Sequence, residues 1–130
     1  MTSMYIDFSL ESSVGQICLD EFFDGDIRKI KKGEPIGKNA RIAEKYEWQL
    51  TTAESNYIDT NDILKDFYNQ FSKNKKEILN EIRAVKATGY LYVVVNRDSE
   101  KDDFSITVSS EMIHFLDELN VEFSIDGIYQ

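Results

Sequence analysis

The sequence predicts an α+β domain in which two helices cover one face of an antiparallel sheet, with an additional strand and short helix at the N-terminus. Three observations point there. Apolar residues alternate with polar ones, period two, at 4–10, 46–50, 104–108 and 121–125. A long apolar stripe at helical spacing runs from Ile63 to Val85. The run YLYVVV at 90–95 is apolar on both faces and suits a central strand.

Taken in order, Met4, Ile6, Phe8 and Leu10 alternate with Tyr5, Asp7 and Ser9, the pattern of a strand with one buried face. Residues 13–23 predict a short helix carrying Val14, Ile17 and Cys18. Residues 24–45, rich in Gly and charge, read as an exposed loop. Tyr46, Trp48 and Leu50 form a second strand.

Asp59 or Thr60 caps a helix beginning near Asn61, whose stripe comprises Ile63, Leu64, Phe67, Tyr68, Phe71, Ile78, Leu79, Ile82 and Val85. Asn74 and Lys75 interrupt the stripe and place a kink or break at 72–76. Gly89 is a stop signal beyond the helix. The polar stretch 97–103 then predicts a hairpin turn from 90–95 into Phe104, Ile106 and Val108. Ser109 or Ser110 caps a last helix with Met112, Ile113, Leu116 and Leu119 facing inward, and Val121, Phe123 and Ile125 form the final strand. From residue 46 the order is β-α-β-β-α-β, the ferredoxin-like split βαβ arrangement. The first strand is expected at an edge of the sheet, or extending it.

At 130 residues the chain fits one domain, 1–130. No apolar run approaches the roughly 20 residues of a membrane helix. The start MTSMYIDFSLESS, with Asp7 and Glu11 and no base, is unlike a signal peptide, so the expected location is the cytoplasm. The single cysteine, Cys18, excludes an internal disulfide and a cysteine-based zinc site, and its neighbours Ile17 and Leu19 suggest a buried thiol.

The net charge of −9 is uneven. Residues 1–27 carry −6, residues 28–45 carry +5, and residues 46–130 carry −8. No Lys or Arg follows Lys101, whereas Asp102, Asp103, Glu111, Asp117, Glu118, Glu122 and Asp126 do. Such a surface repels phosphate backbones and attracts a basic protein. These seven acids are the candidate partner-binding residues.

Sites of chemistry are hard to find. His114 is the only histidine and has no triad or metal-ligand company by spacing, so a helix-surface role is expected. The segment from Gly33 to Asn39 resembles a phosphate loop, but only three residues separate Gly33 from Gly37 and Asn39 follows Lys38 where a Ser or Thr is needed. Asp98, Glu100, Asp102 and Asp103 lack the Gly and terminal Glu of a calcium loop and read as a solvated turn. No catalytic, cofactor or metal residues are assigned, and an enzyme is not expected; one would need a pocket joining Arg41, Trp48 and distant acids. Tyr90, Tyr92 and Val94 share one face of their strand, where the N-terminal segment covers them or a partner binds.

The segment Lys32, Gly33, Glu34, Pro35, with Arg41 after it and Trp48 opening a strand, and the ending from Phe123 through Asp126 to Tyr129, resemble the bacterial domain-of-unknown-function family 4279. Its small acidic members are similar to immunity proteins of bacterial toxin systems. The resemblance therefore implies a cytoplasmic protein that binds one cognate toxin, such as a nuclease, and blocks it by stoichiometric contact. No cofactor, nucleic acid or membrane is implied, and the free protein would be a monomer or weak homodimer. The alternative is a regulatory or structural domain that associates with itself through an open sheet face.

Overall fold

A computed structural model describes residues 2–38, 41–98 and 103–129. Strand β1 (Ser3–Ser12) is followed by a single 3₁₀ turn (Asp20–Phe22) and β2 (Asp26–Ile30). The two-residue strands β3 (Pro35–Ile36) and β4 (Arg41–Ile42) form a small hairpin, and β5 (Tyr46–Thr51) follows. Helices α1 (Thr60–Ser72) and α2 (Lys75–Ala84) lead to β6 (Thr88–Arg97), α3 (Ser110–Leu119) and β7 (Glu122–Tyr129). The result is α+β in a ferredoxin-like arrangement: a five-stranded sheet, order β2-β5-β1-β6-β7, with three helices on one face.

Period two makes the inner face. Met4, Ile6, Phe8 and Leu10 of β1 meet Trp48 and Leu50 of β5 and Leu91, Val93 and Val95 of β6, all essentially inaccessible. Onto them pack Ile63, Leu64, Phe67 and Phe71 of α1, Ile78, Leu79 and Ile82 of α2, and Met112, Phe115, Leu116 and Leu119 of α3. Phe8 is the aromatic hub, edge-on to Phe67 at 5.6 Å, Trp48 at 5.8 Å and Phe23 at 6.3 Å. Such pairs each add roughly 0.5–1.5 kcal/mol beyond their buried area.

Local chemistry sets the helix ends. The Asp59 carboxylate accepts from the Asn61 amide at 2.9 Å and starts α1. The break expected at 72–76 is real: Asn74 leaves helical geometry at φ −133°, and α2 begins at Lys75. Ser109 caps α3 through the Met112 amide, and Asn120 ends it in the left-handed region (φ 54°, ψ 46°).

Several expectations are corrected. The first strand is the middle strand, because both its edges pair: with β5 from Asp7↔Thr51 to Ser12↔Tyr46, and with β6 from Ser3↔Asn96 to Glu11↔Thr88. The sheet is mixed, since β7 returns parallel to β6 through α3. With β1 on one edge of β6 and β7 on the other, residues 104–108 have no edge to pair with and form no hairpin. They run instead beside residues 58–60, joined by a bridge from Ser105 to Asp59 and by the Thr60 hydroxyl donating to the Thr107 carbonyl. Three helices, not two, cover the sheet. The short helix at 13–23 shrinks to one 3₁₀ turn, and the 24–45 loop contains β2 and the β3–β4 hairpin. Cys18 is exposed, because Ile17 and Leu19 on either side of it are the buried pair in an extended segment.

Candidate partner-binding face

Alternation that buries one side of each strand pushes the other residues to the opposite side, where no described helix packs. The register lines these up in rows across the strands. One row reads Arg28, Gln49, Ser9, Tyr90, Glu122, and the next reads Asp26, Thr51, Asp7, Tyr92, Ser124. Tyr5, Val94 and Asp126 form a third. Tyr90 and Tyr92 are half-buried with rings stacked at 4.2 Å, as their shared face requires. The N-terminal segment does not cover them; it lies beside them in the plane of the sheet as β1.

Charge on this face is one-sided. The five strands place Asp7, Glu11, Asp26, Glu47, Glu122 and Asp126 there against a single guanidinium, Arg28. Asp7 is held by the Gln49 amide at 2.8 Å, and Glu11 pairs with Lys45 at 3.0 Å. Glu47, Glu122 and Arg28 line the same end of the face, where a groove of about 680 Å³ runs between Ile30 and Tyr90. Gly89 is in its wall, with the backbone of β1 so close that a side chain there would strike the Ser9 carbonyl.

The acids expected to bind a partner divide between the two sides of the sheet. Glu111 and Asp117 are exposed on α3, on the helical side. Glu118 is half-buried there and engaged, with Lys75 at 3.0 Å and His114 at 3.6 Å. Glu122 and Asp126 are on β7 with their side chains on the open face. Asp103 is exposed near the start of β1, its carbonyl accepting from the Thr2 hydroxyl, and Asp102 lies outside the described residues. The structure therefore joins Glu122 and Asp126 to Asp7, Glu11, Asp26 and Glu47, which the tally of acids after Lys101 missed. Their signal was present: each occupies a polar position beside buried apolar ones. What was missing was the knowledge that β1 and β5 are neighbours.

Other candidates resolve into structure. His114 is largely exposed on α3. The loop around Gly33 and Gly37 is the β3–β4 hairpin, and both glycines adopt positive φ, 91° and 68°, as turn residues. Among the described residues no group of three or more His, Cys, Asp or Glu side chains could hold a metal ion. Among the described residues no helix is long and apolar enough to cross a membrane. Asp20 accepts from Lys29 at 2.6 Å and from the Trp48 indole at 2.8 Å; the Lys29 bond, against partial burial, holds its carboxyl below the usual range.

The model of one family, Domain of unknown function (DUF4279), matches residues 27–130. The chain belongs to the DUF4279 family. No curated protein and no solved structure matches it. The DUF4279 match covers β2 through β7 and all three helices, and leaves β1, the middle strand, outside it.

Proposed function

We propose that this chain is a non-catalytic binding protein that docks a basic protein partner on the open face of its sheet. The supporting observation is the charge of that face: Asp7, Asp26, Glu47, Glu122 and Asp126 without a cationic partner among the described residues, beside one guanidinium and two stacked tyrosines. Tyrosine is enriched in interfaces, and a field of one sign steers an oppositely charged protein to it. The role implied by the family resemblance is of this kind: an immunity protein, cytoplasmic, that neutralises a cognate toxin by occupying its basic substrate surface. A nuclease that holds phosphates through Lys and Arg presents such a surface.

Self-association through the same face is the competing reading, and its charge weighs against it. Two copies stacked face to face would bring two sets of carboxylates together, with Arg28 and the Lys45 that holds Glu11 too few to offset them.

A reading frame beside this chain that encodes a basic toxin domain would supply the partner for the test, and a neighbourhood without one would count against the immunity role. Reversing Asp7, Glu47 and Asp126 to Lys is expected to slow association about ten- to hundredfold by stopped-flow, and to flatten its salt dependence. Unchanged association would remove the face from consideration. Light scattering of the free chain is expected to give a monomer mass at every concentration; a mass that doubles with concentration would favour self-association.

A further inference from the structure

We infer that the basic partner contributes an extended segment that pairs with the free edge of β7, adding a sixth strand and laying Lys or Arg side chains over Glu122 and Asp126. This rests on the basic partner proposed above and specifies how it is held.

An edge strand presents unpaired N–H and C=O groups to any extended chain of suitable side chains. The sheet has two such edges, and they differ. Strand β2 is five residues long and mixes its charges: Asp26 is followed by the exposed Arg28, which repels a basic segment, and by Lys29, which Asp20 holds at 2.6 Å. Strand β7 is eight residues long and pairs with β6 along its whole length, from Tyr90↔Glu122 to Arg97↔Tyr129. No described residue pairs with its other edge. It contains neither Lys nor Pro, two of the usual guards of an edge, and its only charges are acidic.

Its charges also specify the occupant. Glu122 and Asp126 are the only ionisable groups with described side chains on β7, both acidic, both exposed, and neither is in an ion pair among the described residues. Four residues apart on one face, they are about 13 Å from each other, so a complementary strand repeats its bases at the same interval. Ile128, 41% exposed, continues that face beyond Asp126 and offers an apolar contact. A second copy of this chain fits poorly. Antiparallel pairing of two β7 strands about Ser124, keeping the helices on one side, sets Glu122 of each copy against Asp126 of the other, and like charges directly opposite are destabilising.

A library of random ten-residue peptides displayed on phage, selected on the immobilised full chain, tests this. Expected winners carry Lys or Arg two or four positions apart between β-branched residues, without proline. Amide hydrogen exchange of the full chain with a winning peptide is expected to slow β7 amides about tenfold and leave α3 unchanged. N-methylation along the peptide is expected to abolish binding at alternate positions only, the signature of ladder pairing. The Glu122→Lys, Asp126→Lys double variant is expected to bind at least about tenfold more weakly with an unchanged melting curve. Basic winners that leave β7 unprotected, ignore this variant and are lost on Asp7→Lys would overturn strand addition while keeping a basic partner. Winners without bases would overturn both. Concentration-dependent protection of β7 in the free chain would assign the edge to a second copy instead.

Discussion

Gly89 and Tyr57 show two ways in which one residue's surroundings decide its behaviour. A Cβ at Gly89 would be 1.9 Å from the Ser9 carbonyl oxygen, where the backbones of β1 and β6 come together and neither can retreat without losing its ladder. Gly89→Ala is therefore expected to cost more than about 3 kcal/mol in urea unfolding. Gly33→Ala, with no atom within 4 Å but a φ of 91°, should cost only the backbone strain, about 1 kcal/mol. Equal losses at the two positions would refute this account. Tyr57 is partly buried and donates to Asp66 at 2.6 Å; burial first, then that carboxylate, push its hydroxyl up to about 12. The fold thus favours the protonated phenol. Its contribution to stability is complete below the ordinary value of 10.0 and is lost as pH rises from there through about 12. An ultraviolet titration should show one of the seven tyrosines ionising last, and Tyr57→Phe should delete that step. At this scale the sequence was informative about class and poor about neighbours: Gly89 reads as a helix stop, yet α2 ends at Ala84, Lys86 takes the left-handed turn (φ 52°), and Gly89 belongs to β6, where its role depends on a carbonyl eighty residues earlier.

Among the elements, α3 is the one most fully written in local chemistry. Ser109 closes its first turn, Met112, Leu116 and Leu119 face the core as expected while Ile113 is 58% exposed and Phe115 is buried in its stead, and Asn120 turns left-handed beyond its last residue. Asn120→Gly should leave the urea midpoint nearly unchanged, whereas Asn120→Val should cost about 1–2 kcal/mol, since a β-branched residue resists that conformation. Similar midpoints for both would mean that the cap contributes little. The break between α1 and α2 was legible for the same reason, because polar Asn74 and Lys75 fall where the stripe needs apolar residues. Residues 104–108 were not. Phe104 and Val108 pack against the core but Ile106 between them is 60% exposed, so the apolar alternation does not mark one buried face here, and it names no pairing partner. Strand β2 escaped notice because only Ile27 and Ile30 mark it and charged residues fill the rest.

For the whole molecule the decisive fact is strand order. Because β1 separates β5 from β6, removing it splits the sheet into the pairs β2-β5 and β6-β7. The family match at 27–130 omits it. A chain comprising only residues 27–130 is expected to lose cooperative thermal unfolding by circular dichroism, and a peptide of residues 1–26 added in trans to restore it. Cooperative melting of the shortened chain by itself would show that the matched region needs no middle strand. Strand order also decides the candidate site. Net charge and its drift toward the C-terminus were visible in the sequence, but which carboxylates share a surface was not, because β1 and β7 reach the same face only through pairings made across the whole chain.

The position of β1 also bears on how the protein is made. Its apolar alternation leaves the ribosome ahead of the other strands of the sheet, yet the strand that closes its second edge, β6, is not complete until residue 97 has emerged. Until then a ten-residue strand with a sticky face has at most β5 beside it and one edge still open. Pairings so distant in sequence form slowly, on the order of milliseconds to seconds. During synthesis this strand is the segment most in need of shelter by a chaperone.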